Sequence, residues 1–180
     1  MNPYFPQQQM CYQNNNENLV LARLYKEFNY CKDDEELNHI GCSFGLENNN
    51  IYNWKVTMTG PEKTPYEGGL FKISIIFPPN YPQYGPEFKF KNKIYHLNVD
   101  LQNNFGHICI SRLNEWASTG EVKSNPNYNV KQALFDIFSL FYKQGVKSAY
   151  DLNMANDYMY NYNKFCQDAK TWTKQYAKFN

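Results

Sequence analysis

The sequence predicts an α+β domain, on three observations. An amphipathic helical pattern lies near the N-terminus, four segments with strand character follow one another, and a helical period returns in the last third of the chain. Successive strands without long crossovers pair antiparallel, so the four segments predict an antiparallel meander. Between the meander and the C-terminal helices lies an irregular active-site segment, the kind of region in which functional residues concentrate.

The N-terminal helix is predicted to begin near Glu17, after a tail rich in Pro, Gln and Asn over residues 1–16. Such a tail has little to bury and is predicted to be disordered, which leaves residues 17–180 as one folded domain. The apolar side of the helix recurs at three- and four-residue intervals: Leu21, Leu24, Tyr25 and Phe28. Its polar side carries Arg23 and Lys26.

The four strands are predicted over residues 40–46, 51–60 and 70–77 and around Phe88 and Phe90. The third shows the clearest alternation of apolar and polar residues, which indicates a half-buried strand. Between the third and fourth lies PPNYPQYGP, residues 78–86. Because proline fixes φ and has no N–H, this segment is predicted to be a rigid loop, with its tyrosines packed against the sheet.

The C-terminal third is predicted to be helical, after irregular structure from Tyr95 to Glu121. One helix has Asn129 as a suitable N-cap. Its apolar stripe is Val130, Leu134, Ile137, Phe138 and Phe141. A terminal helix with an aromatic face is predicted from residues spaced by four and three: Tyr158, Tyr162, Phe165, Ala169, Trp172 and Tyr176.

Composition excludes several classes of function. The net charge of +1 gives no support for binding nucleic acid or a membrane surface by bulk electrostatics. No apolar run reaches the roughly 20 residues of a membrane span, and the N-terminus lacks the pattern of a signal peptide. The five cysteines are widely spaced without a CxxC pair, which argues against a metal site or a disulfide framework. We therefore expect a protein of the cytosol, the nucleus or both.

The segment from Lys93 to Cys109 is the strongest candidate site. It places His96 and Asn98 shortly before Cys109 in the order His-x-Asn…Cys. A thiol nucleophile together with an amide that stabilises an oxyanion is the equipment for acyl transfer. The alternative is a small buried cysteine and an asparagine that only forms a turn.

Three motifs occur in order along the chain: PYEGG at residues 65–69, YPxxxP at residues 81–86 and His-x-Asn…Cys. Together they resemble the ubiquitin-conjugating enzyme family across residues 17–180. The resemblance implies the family's fold and an enzyme that accepts ubiquitin on Cys109 as a thioester from an activating enzyme. It then passes ubiquitin to a substrate lysine, usually with a ligase. ATP is used by the activating enzyme, so no cofactor or metal is expected in this chain.

The resemblance also implies roles for neighbouring residues. Asn98 would stabilise the oxyanion and order the nearby loop, and His96 would shape that loop through backbone hydrogen bonds. The usual triplet is His-Pro-Asn, but Leu97 stands here, which removes a restraint on φ. Where many members place an aspartate to assist the lysine, the alignment puts Tyr150, with Asp151 next to it. Either residue could serve.

Partner surfaces follow from the same resemblance. Arg23 and Lys26 match the basic first-helix segment that binds activating enzymes and ligases, or form only a solvated face. Gln83 and the segment after Trp116 stand where ligases usually find apolar and Ser-Pro-Ala anchors. Phe135 matches a position that contacts bound ubiquitin, or belongs to the core.

Two other functions remain open from the sequence. One is a catalytically weak or inactive ubiquitin-binding variant of the fold, which the altered triplet and missing aspartate favour and the presence of Cys109 disfavours. The other is a conjugating enzyme for a ubiquitin-like protein of the NEDD8 or SUMO type.

Overall fold

The computed structural model describes residues 7–125 and 127–178, with side chains described from residue 17 onward. Its strands are β1 (Cys42–Glu47), β2 (Asn50–Thr59), β3 (Leu70–Ile76) and β4 (Glu87–Phe90). Each strand pairs antiparallel with the next, in the order β1-β2-β3-β4. The predicted four-stranded meander of an α+β fold is confirmed.

Six α-helices lie in the described part of the chain. They are α1 (Gln7–Asp33), α2 (Glu35–His39), α3 (Ser111–Thr119), α4 (Val130–Leu140), α5 (Leu152–Tyr160) and α6 (Tyr162–Tyr176). A short 3-10 turn, Val146–Ser148, stands between α4 and α5. Residues 1–6 of the predicted tail lie outside the described residues.

Helix α1 begins at Gln7, ten residues before the start predicted near Glu17. No proline or glycine interrupts residues 7–33, and the helix can therefore extend through the polar segment. The apolar stripe is also narrower than predicted: Leu24 is buried, but Tyr25 is 51% exposed.

Two helical predictions need correction. Helix α3 lies inside the segment predicted to be irregular, and it buries Leu113 and Trp116. One pair of apolar residues in so short a helix is too weak a period to be recognised. The predicted terminal helix is in fact two helices, because the backbone at Asn161 leaves the helical region (φ −141°, ψ 54°). This break lets Tyr158 of α5 pack on Phe165 of α6, with ring centroids 5.1 Å apart.

The core lies between one face of the sheet and the helices. Phe28 of α1 contacts Trp54 of β2, with ring centroids 5.1 Å apart. Phe141, directly after α4, packs on Phe71 of β3 at 5.0 Å. As predicted, Asn129 caps α4, and a full capping box forms with Gln132. These contacts fix the helices on the sheet.

The loop of residues 78–86 is anchored by one of its two tyrosines. Tyr81 is 1% exposed, packs on Phe77 and donates a hydrogen bond from its hydroxyl to Oε2 of Glu27 at 2.6 Å. Tyr84 is 44% exposed, so the prediction that it packs against the sheet is wrong. One buried ring is enough to attach the loop to α1 and the sheet.

Candidate active site

Cys109 and the His-x-Asn triplet are brought together by backbone pairing. The N–H of Cys109 donates to the carbonyl oxygen of Asn98 at 2.8 Å, and Val99 and Ile108 form an antiparallel bridge. The connecting loop folds on the Asp100 carboxylate, which accepts N–H bonds from residues 102, 103 and 104 at 2.8–3.0 Å. These backbone bonds lower the pKa of Asp100. Residues 102–104 therefore form an ordered turn.

His96 shapes the loop through backbone contacts, and it is 2% exposed. Its Nδ1 accepts the N–H of Asn98 at 3.0 Å, so the ring proton is on Nε2, which lies 3.1 Å from the carbonyl oxygen of Leu140. Burial lowers the pKa of His96 to about 4, against a partial increase from the Leu140 carbonyl. A neutral imidazole with a hydrogen bond at each ring nitrogen is suited to holding the loop in place.

The Asn98 side chain is buried, at 1% exposure, and bonded on both its atoms. Its Oδ1 accepts the N–H of Gly145 at 2.7 Å. Its Nδ2 lies 2.8 Å from the carbonyl oxygen of Gly145, and 3.1 Å and 2.9 Å from the carbonyl oxygen and Oγ of Ser148. An amide nitrogen has two hydrogens, and here they are shared by three acceptors. Asn98 thus attaches the segment after α4 to the loop of Cys109.

Leu97 is fully buried, and its backbone N–H, which the usual proline would lack, finds a partner in Gln144. The N–H donates to Oε1 of Gln144 at 2.9 Å. Nε2 of Gln144 donates to the Tyr66 hydroxyl at 2.6 Å, and that hydroxyl donates to the carbonyl oxygen of Tyr95 at 2.7 Å. Each polar group in this buried row of hydrogen bonds therefore has a partner.

Of the two candidates near the incoming lysine, Tyr150 bonds to His107, two residues before Cys109, and Asp151 caps α5. Burial raises the pKa of Tyr150, and the charge of Cys109 raises it further. The Tyr150 hydroxyl lies 2.7 Å from Nδ1 of His107. Asp151 instead caps α5, since its Oδ1 accepts the N–H groups of Asn153 and Met154 at 2.8 and 3.0 Å.

The cysteines differ in exposure. Burial raises the pKa of the Cys31 and Cys42 thiols to about 12, so both stay protonated and unreactive. Cys109 and Cys166 are only partly buried. Cys166 lies on α6 in a surface pocket with Thr64 and Tyr162. Cys109 is the partly exposed thiol beside the His-x-Asn triplet.

The predicted partner residues fall in different places. Arg23 and Gln83 line one groove of about 920 Å³, between α1 and the loop of residues 78–86. Lys26 is exposed and lines a neighbouring groove of about 510 Å³ with Arg23. Phe135 is half-buried against the core. Trp116 is 3% exposed, so it is a core residue and not a contact residue, because its ring packs on Gly85 and Phe88.

Sequence reasoning missed His107, Gln144 and Ser148. His107 lies two residues before Cys109, and this spacing is a signal that could have drawn attention to it. Gln144 and Ser148 lie 47 and 50 residues from their loop partners, and no local pattern marks them.

Neither a metal cluster nor a membrane-spanning helix is found among residues 7–125 and 127–178. In that part of the chain, no group of three or more His, Cys, Asp or Glu side chains has the arrangement of a metal site. Nor does any helix there combine the length and the apolar character needed to cross a membrane.

Comparison with known proteins agrees with this geometry. A family model described as ubiquitin-conjugating enzyme matches residues 23–173. Ubiquitin-conjugating enzyme E2 1 of Schizosaccharomyces pombe is 35% identical over 156 residues, which is 86% of this chain and 66% of that protein. Ubiquitin conjugating enzyme E2 B of Dictyostelium discoideum is 33% identical, over 76% of this chain and 86% of that one.

A solved structure is similar along nearly its whole length. The E2 domain of a Toxoplasma gondii ubiquitin conjugating enzyme superposes with a TM-score of 0.70 at 33% identity, covering 87% of this chain and 98% of that one. The fold, the order of the motifs and these matches agree: the chain belongs to the ubiquitin-conjugating enzyme family.

Proposed function

We propose that Cys109 is the residue of this enzyme that carries ubiquitin as a thioester. The main support is the backbone hydrogen bond of 2.8 Å from the N–H of Cys109 to the carbonyl oxygen of Asn98, which holds a partly exposed thiol beside an ordered loop. Because the curated relatives are named for ubiquitin, ubiquitin is favoured over a ubiquitin-like cargo. Catalysis by the family disfavours the inactive binding variant.

The chemistry has two acyl transfers. The Cys109 thiolate attacks the thioester carbonyl carbon that joins ubiquitin to the activating enzyme, a new C–S bond forms, and the activating enzyme's thiolate leaves. A substrate amine then attacks the new thioester and its nitrogen loses a proton, and the resulting tetrahedral oxyanion collapses to an amide with release of the Cys109 thiolate. A thiolate leaves more readily than an alkoxide, which makes the thioester a suitable carrier.

Asn98 contributes to this chemistry first as a positioning residue. With two hydrogens shared among three acceptors, Nδ2 has no hydrogen to spare for an oxyanion in the resting arrangement. It becomes an oxyanion donor when one N–H leaves Ser148, whose Oγ also lies 3.3 Å from the Gly145 carbonyl oxygen. Loss of such a donor costs on the order of 100-fold in rate.

The groove between α1 and the loop of residues 78–86 is the proposed docking site for the activating enzyme and a ligase. Exposed Arg23 lies over the Tyr81 ring at 5.3 Å and pairs with Glu27 at 2.8 Å, so its position is defined. Gln83, at the opposite wall, offers a polar contact where an apolar anchor is usual. The free thiols support action in a reducing compartment, the cytosol or nucleus.

The test is a charging assay with ubiquitin, activating enzyme and ATP, run on reducing and non-reducing gels. We expect wild type to form one thiol-sensitive adduct, as should the control Cys166→Ser, which also removes a partly exposed thiol. Cys109→Ser should stay uncharged or trap a thiol-resistant ester. A thiol-sensitive adduct on Cys109→Ser would refute the assignment of Cys109. Charging only with a ubiquitin-like protein would refute the cargo.

A further inference from the structure

A histidine and a tyrosine form a hydrogen-bonded pair beside the thiol. Nδ1 of His107 and the hydroxyl oxygen of Tyr150 are 2.7 Å apart, and the rings meet edge to face with centroids separated by 6.3 Å. In the tautomer that carries its proton on Nε2, Nδ1 of His107 accepts the hydrogen bond and the Tyr150 hydroxyl donates it. The tyrosine oxygen then keeps its lone pairs for another partner.

The pair is attached to the loop that carries Cys109. His107 lies two residues before Cys109, and its backbone N–H donates to the carbonyl oxygen of Asn104 at 2.9 Å. The N–H of Tyr150 donates to the carbonyl oxygen of Leu97, also at 2.9 Å. Tyr150 is 44% exposed, so an incoming side chain can reach its hydroxyl.

The neighbouring carboxylates are directed elsewhere. Asp100 is 5% exposed and holds the turn of residues 102–104. Asp151 caps α5 through Oδ1. Of the polar groups described near the thiol, the Tyr150 hydroxyl is therefore well placed to meet an amine that approaches from solvent.

We propose that Tyr150 and His107 act as a pair that orients and deprotonates the attacking lysine. This inference rests on the proposed thioester at Cys109. The Tyr150 oxygen accepts an N–H of the lysine ammonium. As that proton moves to the tyrosine oxygen, the original hydroxyl proton moves to Nδ1 of His107, which leaves a neutral amine, a neutral tyrosine and an imidazolium. The imidazolium returns its proton to water. Tyr150 touches the substrate, whereas His107 is a positioning residue that acts through Tyr150.

The experiment separates transfer to lysine from formation of the thioester. Each protein is charged, the activating enzyme is stopped, and decay of the isolated thioester is followed with free lysine and, separately, with hydroxylamine. Hydroxylamine is a small neutral nucleophile that needs neither orientation nor deprotonation. The variants are Tyr150→Phe, His107→Ala, the double variant, and His107→Asn, whose amide oxygen can accept the hydrogen bond of Tyr150 but cannot take up its proton. The controls are Tyr160→Phe, 82% exposed, and His39→Ala, also exposed.

We expect Tyr150→Phe and His107→Ala to discharge to lysine about tenfold more slowly, the effect of one hydrogen bond to a charged group. The double variant should be no slower than Tyr150→Phe, and His107→Asn should be as slow as His107→Ala, because an amide does not take up the proton. Hydroxylamine rates and melting temperatures should stay near wild type, and both controls should match wild type throughout.

Lysine discharge at the wild-type rate in Tyr150→Phe would overturn the proposal. So would an equal slowing with lysine and hydroxylamine, since that indicates a distorted site. Additive losses in the double variant would also overturn the coupling. A wild-type protein that never charges refutes the proposed function itself, and the pair falls with it.

Discussion

Gln144 allows a direct test of how the loop accommodates Leu97 in place of the usual proline before Asn98, because its side chain accepts the N–H that proline would lack. Replacing Gln144 by Met keeps the approximate volume but removes the acceptor for the Leu97 N–H, now 2.9 Å away. Leu97 and Gln144 are 0% and 6% exposed, so water cannot easily replace the lost partner. An unpaired buried N–H costs about 1–3 kcal/mol. The Tyr66 hydroxyl keeps its bond of 2.7 Å to the Tyr95 carbonyl oxygen, so we add nothing for that group.

The assay is thermal and urea unfolding of four proteins: wild type, Gln144→Met, Leu97→Pro and the double variant. A loss of about 2 kcal/mol lowers Tm by about 4–8 °C in a protein of this size. Because proline has no N–H, the same Met substitution should cost at least about 1 kcal/mol less in the Leu97→Pro background. An equal cost of Gln144→Met in both backgrounds would refute the reasoning, since Gln144 would then stabilise the protein by another route.

Three further predictions concern groups around the site. His96→Gln should reduce the loss of stability on acidification: the folded pKa of about 4 lies below the ordinary 6.5, so the unfolded chain binds the proton first. The free energy of unfolding of the wild type therefore falls as pH drops from about 6.5 towards 4, and His96 accounts for about 2 kcal/mol of the difference between pH 7 and pH 5. Urea unfolding curves of both proteins at these two pH values measure the effect. Asn129→Ala should cost about 1 kcal/mol in urea unfolding through the lost cap, and no change would contradict the capping box. Gly120→Ala should lower Tm markedly, because φ is +77° and a Cβ would lie 1.8 Å from the Gln83 carbonyl oxygen; a Tm equal to wild type would count against that contact.

Much of the fold could be predicted from the local pattern of apolar and polar residues. Alternation in β3 puts Phe71, Ile73 and Ile75 on the buried face, as predicted, and the period of α4 puts Leu134 and Ile137 in the core. These elements were predictable because a strand or a helix repeats its burial pattern along consecutive residues. Where the repeat was too short, as in α3, or where one residue interrupted it, as at Asn161, the prediction failed.

The candidate site divides in the same way. The sequence by itself determined that Cys109 follows a His-x-Asn triplet, and this order pointed to acyl transfer. Only the tertiary structure decided that Tyr150 bonds to His107 while Asp151 caps α5, and that Trp116 is buried.

The same holds for the partners of the loop. Asn98 bonds to Ser148 and Leu97 to Gln144 across 50 and 47 residues of chain. A side chain's partner at such separations is chosen by how helices and loops pack on the sheet, because packing sets which polar groups become buried together and must bond to each other. Sequence spacing carries the type of chemistry, whereas packing decides which residues perform it.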